Sequence, residues 1–517
     1  MNGAECLLRT LLANGIEVCF MNPGTSEMQF VAALDRLPDM RGVLCLFEGV
    51  CSGAADGYAR IAGRPAATLL HLGPGLGNAL ANFHNARKAR SPIVSIVGEH
   101  TTEHLRYDAP LTANIAAFAR AVSDNVCLVG AAAKMGALAA AAIEAATRPP
   151  GQTATLIIPA DHSWSDAGDP GPSVNANARR MPAPDRIADI ITLLARSPTT
   201  TGLLLSGSAM LRRGVEAAGR IAAKTGARIF ADRNAARTAS GRGRFHPERI
   251  GYFPEKAEAQ LAGLRDLVLI EAKAPVSFFG YPGRRSTLAP EHCAMHVLAT
   301  VEEDGAGALE SLADMLPQMA DPAAPHEPEE TAALRGDESL GADLIGRCLA
   351  QRLPEDAIVC DEAVSSAEPI WPWLLRAAPH DYLPICGGAI GIGMPLGVGA
   401  AIAAPGRKVV VLEADGSGMY TAQALWTMAR EQLDVVVIVF ANRRYRILDI
   451  EMRRTGAHGF GPRANDMIDI SRPDIGWTKL ANSMGVAAAR VTTAGEFAVQ
   501  FSSAMREPGP LLIEAML

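Results

Sequence analysis

Short, almost continuous apolar runs alternate with segments of helical periodicity along the whole chain. The first third contains such runs in GIEVCFMNPG, GVLCLFEG, ATLLHLGPG, PIVSIVGE and ATLIIPAD. Helical segments lie between them, for example SEMQFVAALDRL, for which we predict Ser26 as the N-cap. Parallel sheets that are buried on both faces need strands of this continuous apolar kind, so the pattern predicts a series of β-α-β units.

Two polar stretches divide this alternation into three segments of similar length. Residues 166–185 and 320–338 are rich in Pro, Gly, Asn or Glu and lack periodicity, which is typical of linkers. A chain of 517 residues is also too long for one ordinary core. We therefore predict an α/β protein with three doubly wound parallel-sheet domains, at residues 1–165, 185–320 and 340–517.

Composition and charge argue against several classes of function. The net charge of −7 offers no basic face for nucleic acid or for an anionic membrane surface. No apolar run approaches the roughly 20 residues that span a bilayer. The start of the chain lacks a basic leader and a cleavage site, and the nine cysteines include no CxxC pair. We expect a cytoplasmic protein with reduced thiols.

One segment, VVVLEADGSGMYTAQALWTMAREQLDVVVIVFANRRYRIL, places polar residues at the ends of two neighbouring strands. The first strand leads into Asp415-Gly416-Ser417, and the second leads into Asn442. Open parallel sheets bind phosphorylated cofactors outside the carboxyl ends of their strands. A carboxylate, an amide oxygen and a loop carbonyl suit Mg²⁺, and the N–H groups that follow Gly416 suit a diphosphate. The same spacing also fits a surface turn and an ordinary asparagine at a strand end.

This segment resembles the signature of thiamine-diphosphate enzymes, which is Gly-Asp-Gly followed further along the chain by Asn-Asn. The resemblance implies that Mg²⁺ is bound by the side chains of Asp415 and Asn442 and by the carbonyl of Arg444. Ala414 and Ala441 stand where the family has Gly and Asn. Neither position supplies a metal-binding side chain in the family, so the implied metal site is kept.

Glu48 follows a predicted strand in LFEGVCSGAADGYARIAG, and this segment resembles the glutamate-centred segment of the same enzymes. The resemblance implies that the Glu48 carboxylate contacts N1′ of the aminopyrimidine ring. In that position it promotes removal of the proton from thiazolium C2, which is the acid–base step that activates the cofactor. The simpler alternative is an acidic residue that favours the start of a helix.

Two further segments resemble cofactor-binding stretches of the family. In GGAIGIGMP, Gly388 and Ile390 match positions at which the backbone binds the pyrimidine and an apolar side chain bends the cofactor. CDEAVSS aligns with a loop that meets the diphosphate, which implies contacts from Ser365 and from the backbone of Val364. A glycine-rich helix start is an alternative for the first segment and is compatible with the cofactor role.

The stretches MNPGTSEMQF and LLHLGPGLGN resemble those that carry the active-site Ser and the first active-site His of benzoylformate decarboxylase. Thr25 and His71 fall on these positions, which implies that they orient a substrate carboxylate or move a proton. The alternative for His71 is a hydrogen-bonded histidine at a strand end. The second His is expected within KAPVSFFGYPG, where this chain has Phe279, Gly280 and Tyr281.

Over nearly the whole chain the resemblance is to the acetolactate synthase large-subunit group, with benzoylformate decarboxylase second. It implies Mg²⁺- and thiamine-diphosphate-dependent decarboxylation of a 2-oxo acid, with transfer of the acyl-anion equivalent to an aldehyde or ketone. The alternatives are decarboxylation without ligation and cofactor binding without catalysis. The Arg-Phe-Asp-Asp-Arg run of the FAD-binding synthases is missing, so we do not expect FAD. A homodimer or homotetramer with active sites between subunits is implied.

Two more features have open interpretations. Glu99-His100 replaces a polar amide pair of the family, and His104 follows one turn later. These side chains either contact the substrate or belong to a solvated loop. The arginine-rich segment RRYRILDIEMRRTGAHGFGP either covers the site and binds an acidic or acceptor substrate, or forms a charged surface helix.

Overall fold

The computed structural model describes residues 1–175, 178–319, 336–457 and 461–517. Three sheets dominated by parallel strands, with helices packed on them, build a mixed α/β fold in these residues. The predicted fold class is confirmed. Within the described residues, no helix is both long enough and apolar enough to cross a membrane.

The first sheet contains six parallel strands that are joined mainly by helices. The strands are β1 (Val18–Asn22), β2 (Arg41–Leu44), β3 (Ala66–Leu70), β4 (Ile93–Glu99), β5 (Asn125–Leu128) and β6 (Thr153–Pro159). The helices are α1 (Gly3–Ala13), α2 (Met28–Leu34), α3 (Glu48–Ala62), α4 (Leu72–Ala89), α5 (Ile115–Arg120), α6 (Met135–Thr147) and α7 (Ala160–Trp164). The strand order is β2-β1-β3-β4-β6-β5. Strands β3, β4 and β6 are buried along their whole length, which accounts for their continuous apolar sequences.

The prediction of Ser26 as a helix cap is wrong. A short 3₁₀ turn, Thr25–Glu27, precedes α2, and Gly24 lies at the start of that turn. The side chain that satisfies the start of the turn is Glu27, whose carboxylate accepts the Gly24 N–H at 2.7 Å. A serine signals a helix start only when its own hydroxyl reaches the free N–H groups, and here a carboxylate one residue later does so.

The second sheet also consists of parallel strands. The strands of this part of the chain are β7 (Thr201–Leu205), β8 (Arg228–Ala231), β9 (Thr238–Ser240), β10 (Glu248–Arg249), β11 (Asp266–Ile270) and β12 (Ala294–Ala299). The helices are α8 (Pro184–Arg196), α9 (Arg212–Thr225), α10 (Pro254–Leu261) and α11 (Gly305–Met315). The order in the sheet is β10-β8-β7-β11-β12, and β9 belongs to the third sheet instead.

The third sheet has seven strands in the order β17-β18-β16-β15-β13-β14-β9, and β9 is antiparallel to β14. Its own strands are β13 (Ala357–Glu362), β14 (His380–Pro384), β15 (Val409–Ala414), β16 (Val435–Ala441), β17 (Ala487–Val491) and β18 (Leu511–Met516). The helices are α12 (Ala342–Arg352), α13 (Ala367–Leu374), α14 (Gly393–Ala403), α15 (Asp415–Gly418), α16 (Ala424–Arg430), α17 (Arg446–Arg454), α18 (Pro462–Asp466), α19 (Trp477–Ser483) and α20 (Ala494–Arg506).

Strand β9 ties the second segment of the chain to the third. Next to it, the Arg237 guanidinium donates to both oxygens of Asp381 in β14, at 2.8 and 2.9 Å. One strand of the central segment thus belongs to the third sheet. The predicted domain limits stay a prediction. The linker predicted at 166–185 is largely irregular where it is described, and residues 320–335 of the second linker lie outside the described residues.

Helices α3 and α14 join the first segment to the third in one hydrophobic core. A side chain at Gly57 of α3 would overlap the Leu396 carbonyl oxygen, and one at Gly399 of α14 would overlap the Ala54 carbonyl oxygen. Small residues are therefore required where these helices cross. Such close approach increases the number of dispersion contacts between the two helices.

Candidate active site

The carboxyl edge of the first sheet brings the acidic and basic side chains of the first segment together. Glu27 follows β1, Glu48 follows β2, His71 follows β3, and Glu99 ends β4. Because β2, β1, β3 and β4 are neighbours and parallel, these residues meet at one edge of the sheet. The structure thus places the predicted residues Glu48 and His71 on the same side of the first domain.

Glu48 is the first residue of α3, and its side chain is held at the edge of the sheet. The residue is 7% exposed. Its Oε2 accepts a hydrogen bond from Nδ2 of Asn78 at 3.0 Å. Its Oε1 lies against Gly75, where a Cβ would be 3.0 Å away. The carboxylate is therefore positioned by α4, and sequence reasoning did not identify Asn78 because it lies on a different element.

His71 forms a hydrogen-bonded pair with Glu27, which sequence reasoning missed. Nδ1 of His71 lies 2.7 Å from Oε2 of Glu27. The Glu27 side chain is fully buried, and this burial raises the pKa of its carboxyl group. If Nδ1 donates to this carboxylate, Nε2 carries the lone pair and can accept a proton. The His71 side chain is 24% exposed, so the ring is not sealed inside the core.

Thr25 lies within the same short turn as Glu27. It is exposed at the start of the 3₁₀ turn, two residues before the glutamate that holds His71. The first-domain candidates Thr25 and His71 are therefore linked through Glu27 and its hydrogen bond to Gly24. Their catalytic roles stay predictions.

Two buried carboxyl groups in the third sheet hold the glycine-rich loop that precedes α14. The Glu362 carboxylate accepts three backbone N–H groups, from residues 391, 392 and 393, at 2.6, 2.7 and 2.5 Å. Glu413, on the neighbouring strand β15, accepts the Met394 N–H at 3.1 Å. Burial raises the pKa of Glu362 to about 7. Burial and the adjacent Glu362 raise the pKa of Glu413 well above its usual range.

Helix α4 also contacts this loop from the first domain. Asn85 donates from Nδ2 to the Ala389 carbonyl at 2.7 Å, and its Oδ1 accepts the Gly387 N–H at 3.1 Å. Nδ2 of Asn82 donates to the carbonyls of Gly49 and Gly391 at 2.8 and 3.0 Å. The segment that begins at Glu48 and the glycine-rich loop therefore lie against each other within one chain.

The predicted pyrimidine-binding positions lie on this loop. Gly388 has a φ of +76°, which favours glycine, and Ile390 is half-buried. The ring of Phe278 from the central segment lies 2.7 Å from the place where a Cβ of Gly388 would be. The backbone of the loop is thus bent and covered by an aromatic side chain, as a flat ring-binding surface requires.

Asp415 and Asn442 lie on adjacent strand ends and are connected through the backbone. Oδ2 of Asp415 accepts the Arg443 N–H at 2.5 Å, and Oδ1 accepts the Gly416 N–H at 2.9 Å. Oδ1 of Asn442 accepts the Arg444 N–H at 2.9 Å. Burial raises the pKa of Asp415 to about 6. Two side-chain oxygens and the nearby Arg444 carbonyl fit the oxygen ligands that Mg²⁺ prefers.

The predicted diphosphate loop lies beside these residues. Val364 and Ser365 form a 3₁₀ turn directly after β13, which is paired with β15, and Val364 has a φ of +50°. Asp415-Gly416-Ser417 begins the short helix α15 after β15 and is buried. Phosphate groups are commonly bound by N–H groups at such turns and helix starts. The residues present therefore fit a diphosphate, and the assignment of each contact stays a prediction.

The central segment has an aromatic surface where the second active-site histidine of benzoylformate decarboxylase was expected. Phe278 and Phe279 pack edge to face, with ring centroids 5.0 Å apart. The Tyr281 hydroxyl donates to Oε2 of Glu451 at 2.9 Å. Gly280 lies between them and carries no side chain to relay a proton.

The arginine-rich segment forms helix α17, and this helix is docked on the central segment. The Arg454 guanidinium lies 3.8 Å from the ring centroid of Phe253 and 2.8 Å from Oε2 of Glu255. The described part of the segment is a charged helix that packs on the central segment, and its covering of the site and binding of an acidic or acceptor substrate stay a prediction. Residues 458–460 of this segment lie outside the described residues.

Family models and a near relative decide the family of the chain. The thiamine pyrophosphate enzyme N-terminal TPP binding domain matches residues 1–119, and the C-terminal TPP binding domain matches residues 371–515. A Mycobacterium tuberculosis protein named "Putative acetolactate synthase large subunit IlvX" is 50% identical, covering 100% of this chain and 99% of that protein. The chain belongs to the thiamine pyrophosphate enzymes.

Two other members of this family are similar over nearly their full length. Benzoylformate decarboxylase of Pseudomonas aeruginosa is 28% identical, with 98% of this chain and 96% of that protein covered. The structure of a thiamine diphosphate-dependent 4-hydroxybenzoylformate decarboxylase from Rhodococcus jostii matches with a TM-score of 0.86 at 24% identity, over 99% of this chain and 98% of that chain. The chain therefore has relatives whose names refer to acetolactate synthesis and relatives whose names refer to decarboxylation.

Proposed function

We propose that this thiamine pyrophosphate enzyme decarboxylates a 2-oxo acid and transfers the resulting acyl group to an aldehyde or ketone. The observation that carries the proposal is the Glu48 carboxylate, which is buried at the carboxyl edge of the first sheet and held by Asn78. A binding protein without catalysis has no need for a carboxylate at the position where the family activates its cofactor. The similarity to a protein named as an acetolactate synthase subunit supports the ligation step.

In this proposal the third domain binds the cofactor. Asp415, Asn442 and the Arg444 carbonyl hold Mg²⁺, while Val364, Ser365, Gly416 and Ser417 meet the diphosphate. Gly388 and Ile390 contact the pyrimidine side of the cofactor. When bound, thiamine diphosphate supplies the nucleophilic carbon and the electron sink for loss of CO₂. FAD is not part of the proposal, because the sequence run that accompanies FAD in the synthases is missing.

The first domain handles protons in this proposal. Glu48 accepts a hydrogen bond from the pyrimidine ring at N1′, and it is contributed by a second copy of the chain in a homodimer or homotetramer. His71, held by Glu27, faces the substrate with Nε2 and orients its carboxylate or moves a proton. Thr25 supplies a hydroxyl beside it. All nine cysteines lie in the described ranges as unpaired thiols, which supports a reducing compartment such as the cytoplasm.

A second candidate is decarboxylation with release of an aldehyde. The specific observation in its favour is the Glu27–His71 pair, since His71 falls on the first active-site histidine of benzoylformate decarboxylase. In this case the enzyme adds a proton, instead of a second carbonyl compound, to the carbon that lost CO₂.

A product screen tests the proposal. Purified protein is supplied with thiamine diphosphate, Mg²⁺ and pyruvate or benzoylformate, with and without an aldehyde acceptor, and the products are identified by NMR. A 2-hydroxy ketone is expected when the acceptor is present, and aldehyde alone would favour the second candidate. The variant Asp415→Ala is expected to lose Mg²⁺-dependent cofactor binding in calorimetry. A wild-type protein that binds the cofactor but consumes no member of a 2-oxo acid panel would refute both candidates.

A further inference from the structure

Glu99, His100 and His104 form a row at the end of β4, in which the Glu99 carboxylate contacts the backbone of His100 and the two imidazole rings contact each other. Glu99 is 6% exposed, and its Oε1 accepts the His100 N–H at 2.8 Å. The imidazole of His100 lies against that of His104, with ring centroids 5.2 Å apart. His104 is exposed at the surface. The row therefore extends from a buried carboxyl group to solvent.

His100 has an unused polar atom at the centre of this row. Its Nε2 is buried and has no hydrogen-bond partner among the described residues. A buried polar atom without a partner costs free energy, so such atoms are rare unless a ligand, a water or a reaction uses them. The exposed ring of His104 approaches Tyr107 on its other side, at 5.9 Å between centroids.

The row begins directly after Gly98, a residue that contacts the Glu27–His71 pair. Gly98, directly before Glu99, lies so close to Oε1 of Glu27 that any Cβ at this position would overlap the oxygen. Glu27 in turn contacts His71 at 2.7 Å. Because β3 and β4 are neighbouring parallel strands, His71 and Glu99 both lie at the carboxyl edge of the first sheet, where we place the substrate.

Burial favours the acid form of Glu99. Burial raises the pKa of the Glu99 carboxyl group, and the nearby His100 lowers it by a smaller amount. The other titratable groups at this edge are Glu27 and His71 on one side and Asp161, which follows β6, on the other. Asp161 is engaged by the N–H and the hydroxyl of Thr102, at 3.0 and 2.6 Å.

We propose that Glu99 is a second proton donor of the active site, and that His100 and His104 connect it to solvent. This inference rests on the decarboxylation step that both candidate functions share, and it concerns the release of aldehyde, the product of the second candidate, in competition with ligation. It also explains how a proton can be delivered although Gly280, in the central segment, offers no side chain for a proton relay. The relay is supplied by the first domain instead.

The proposed step is a single proton transfer. Glu99 in its acid form breaks its O–H bond, and the electron pair of the decarboxylated carbon forms a new C–H bond with that proton. Glu99 is left as a carboxylate. For the aldehyde to leave, its hydroxyl proton would pass to His71, and the electron pair of its bond to the cofactor would stay with the cofactor. His100 passes a proton back to Glu99, and His104 takes one up from water. These steps move only protons and electron pairs that are already present, so they require no oxidant or reductant.

The test compares the products of Glu99→Gln with those of the wild type when a 2-oxo acid and an aldehyde acceptor are both supplied. The amide keeps the size of the side chain but cannot donate the proton as an acid. We expect the ratio of 2-hydroxy ketone to released aldehyde to rise about tenfold or more, while consumption of the 2-oxo acid continues. His104→Gln, at an exposed position, is expected to shift the ratio in the same direction by a smaller factor.

Glu103→Gln is the matched control, since Glu103 is exposed on the same turn and pairs with Arg106. Its product ratio is expected to equal that of the wild type. An independent readout is an infrared pH titration of the full-length protein, in which Glu99→Gln is expected to remove a carboxyl band that titrates above the ordinary glutamate range, and Glu103→Gln is expected to keep it.

Each outcome decides the matter in one direction. A wild-type protein that consumes no 2-oxo acid refutes the proposed function and this inference with it. The inference alone is overturned if the wild type consumes 2-oxo acid and its product ratio equals that of Glu99→Gln and of His104→Gln. It is also overturned if the wild type releases no aldehyde. If Glu99→Gln does not fold, the His104→Gln ratio carries the decision.

Discussion

The first and third sheets both carry buried glutamates at their carboxyl edges, but the two sets of side chains are engaged differently. In the third sheet, Glu362 accepts three backbone N–H groups, and Glu413 accepts a fourth while its Oε1 has no partner among the described residues. In the first sheet, Glu48 accepts one amide N–H, and Glu27 holds His71 while its Oε1 has no partner among the described residues.

This difference separates structural carboxyl groups from reactive ones. A carboxylate that accepts several backbone N–H groups holds a loop in place, because moving it would leave several donors without a partner at once. A carboxylate with a free lone pair beside a histidine can still exchange a proton or bind a ligand. We therefore expect the third domain to hold the cofactor and the first domain to transfer protons, and the following predictions start from this contrast.

The largest expected effect comes from Glu48→Gln. We expect turnover to fall about 10³-fold or more while cofactor affinity stays nearly intact, because the amide keeps the shape but not the acid–base function. Exchange of the C2 proton of the bound cofactor, followed by NMR, measures the step directly. Glu103→Gln serves as control. Exchange at the wild-type rate in Glu48→Gln would show that our assignment is wrong.

A smaller loss is expected for Glu27→Gln. The amide oxygen can still accept from Nδ1 of His71, but it carries no negative charge to stabilise the protonated ring, so we expect kcat to fall roughly 10²-fold with a smaller change in KM. Steady-state kinetics with the substrate found in the product screen measure both. Asp35→Asn, exposed after α2, is the control, and an equal loss in that variant would contradict the contrast.

For the third sheet we expect a structural effect from Glu362→Gln. An amide cannot accept all three backbone N–H groups, so the loop should be destabilised by about 2 kcal/mol. Hydrogen–deuterium exchange is expected to rise in peptides that cover residues 387–403 and to stay unchanged in the central domain. Glu355→Gln, at an exposed position, is the control. Unchanged exchange in the loop would remove the structural role that we assign to Glu362.

The smallest effect concerns His380, at the amino end of β14. Burial lowers its pKa to about 4, from an ordinary value near 6.5. Because its folded-state pKa is depressed, its contribution is fully present above pH 6.5 and is lost as the pH falls towards 4. Between pH 7 and pH 5 we expect the wild type to lose about 2 kcal/mol more stability than His380→Gln.

Urea unfolding at the two pH values measures this difference. His292→Gln, which changes an exposed histidine, is the control and should follow the wild type. If His380→Gln and the wild type lose equal stability between the two pH values, the buried histidine does not contribute to acid sensitivity.

The hydrophobic pattern predicted strands that form a continuous apolar run and missed strands that are very short or interrupted by polar residues. Strands such as β4 and β16 are buried at every position, so their apolar sequence identifies them. Five strands were not predicted, namely β5, β9, β10, β14 and β17. Strand β17 is exposed at two of its five positions, and β14 contains His, Asp and Pro, so neither shows a continuous apolar run.

Sequence reasoning likewise identified some of the site residues and missed others. His71, Asp415 and Asn442 directly follow buried strands, and Glu48 begins the helix after β2. These positions together with the family resemblance identified them. Their roles stay predictions. Glu27 was missed, although a glutamate three residues after the glycine of a tight turn is a signal for a carboxylate that bonds back to the start of that turn.

The sequence alone determined which strands are buried, which residues follow them, and which cofactor family the motifs resemble, because these depend on periodicity and on neighbours in the chain. Tertiary structure decided which of those residues meet. Asn82 bridges Gly49 and Gly391, and Gly98 admits the Glu27 carboxylate, because strands and helices far apart in sequence come into contact there. Contacts between distant segments depend on the relative position of whole elements, and no local pattern of residues specifies that position.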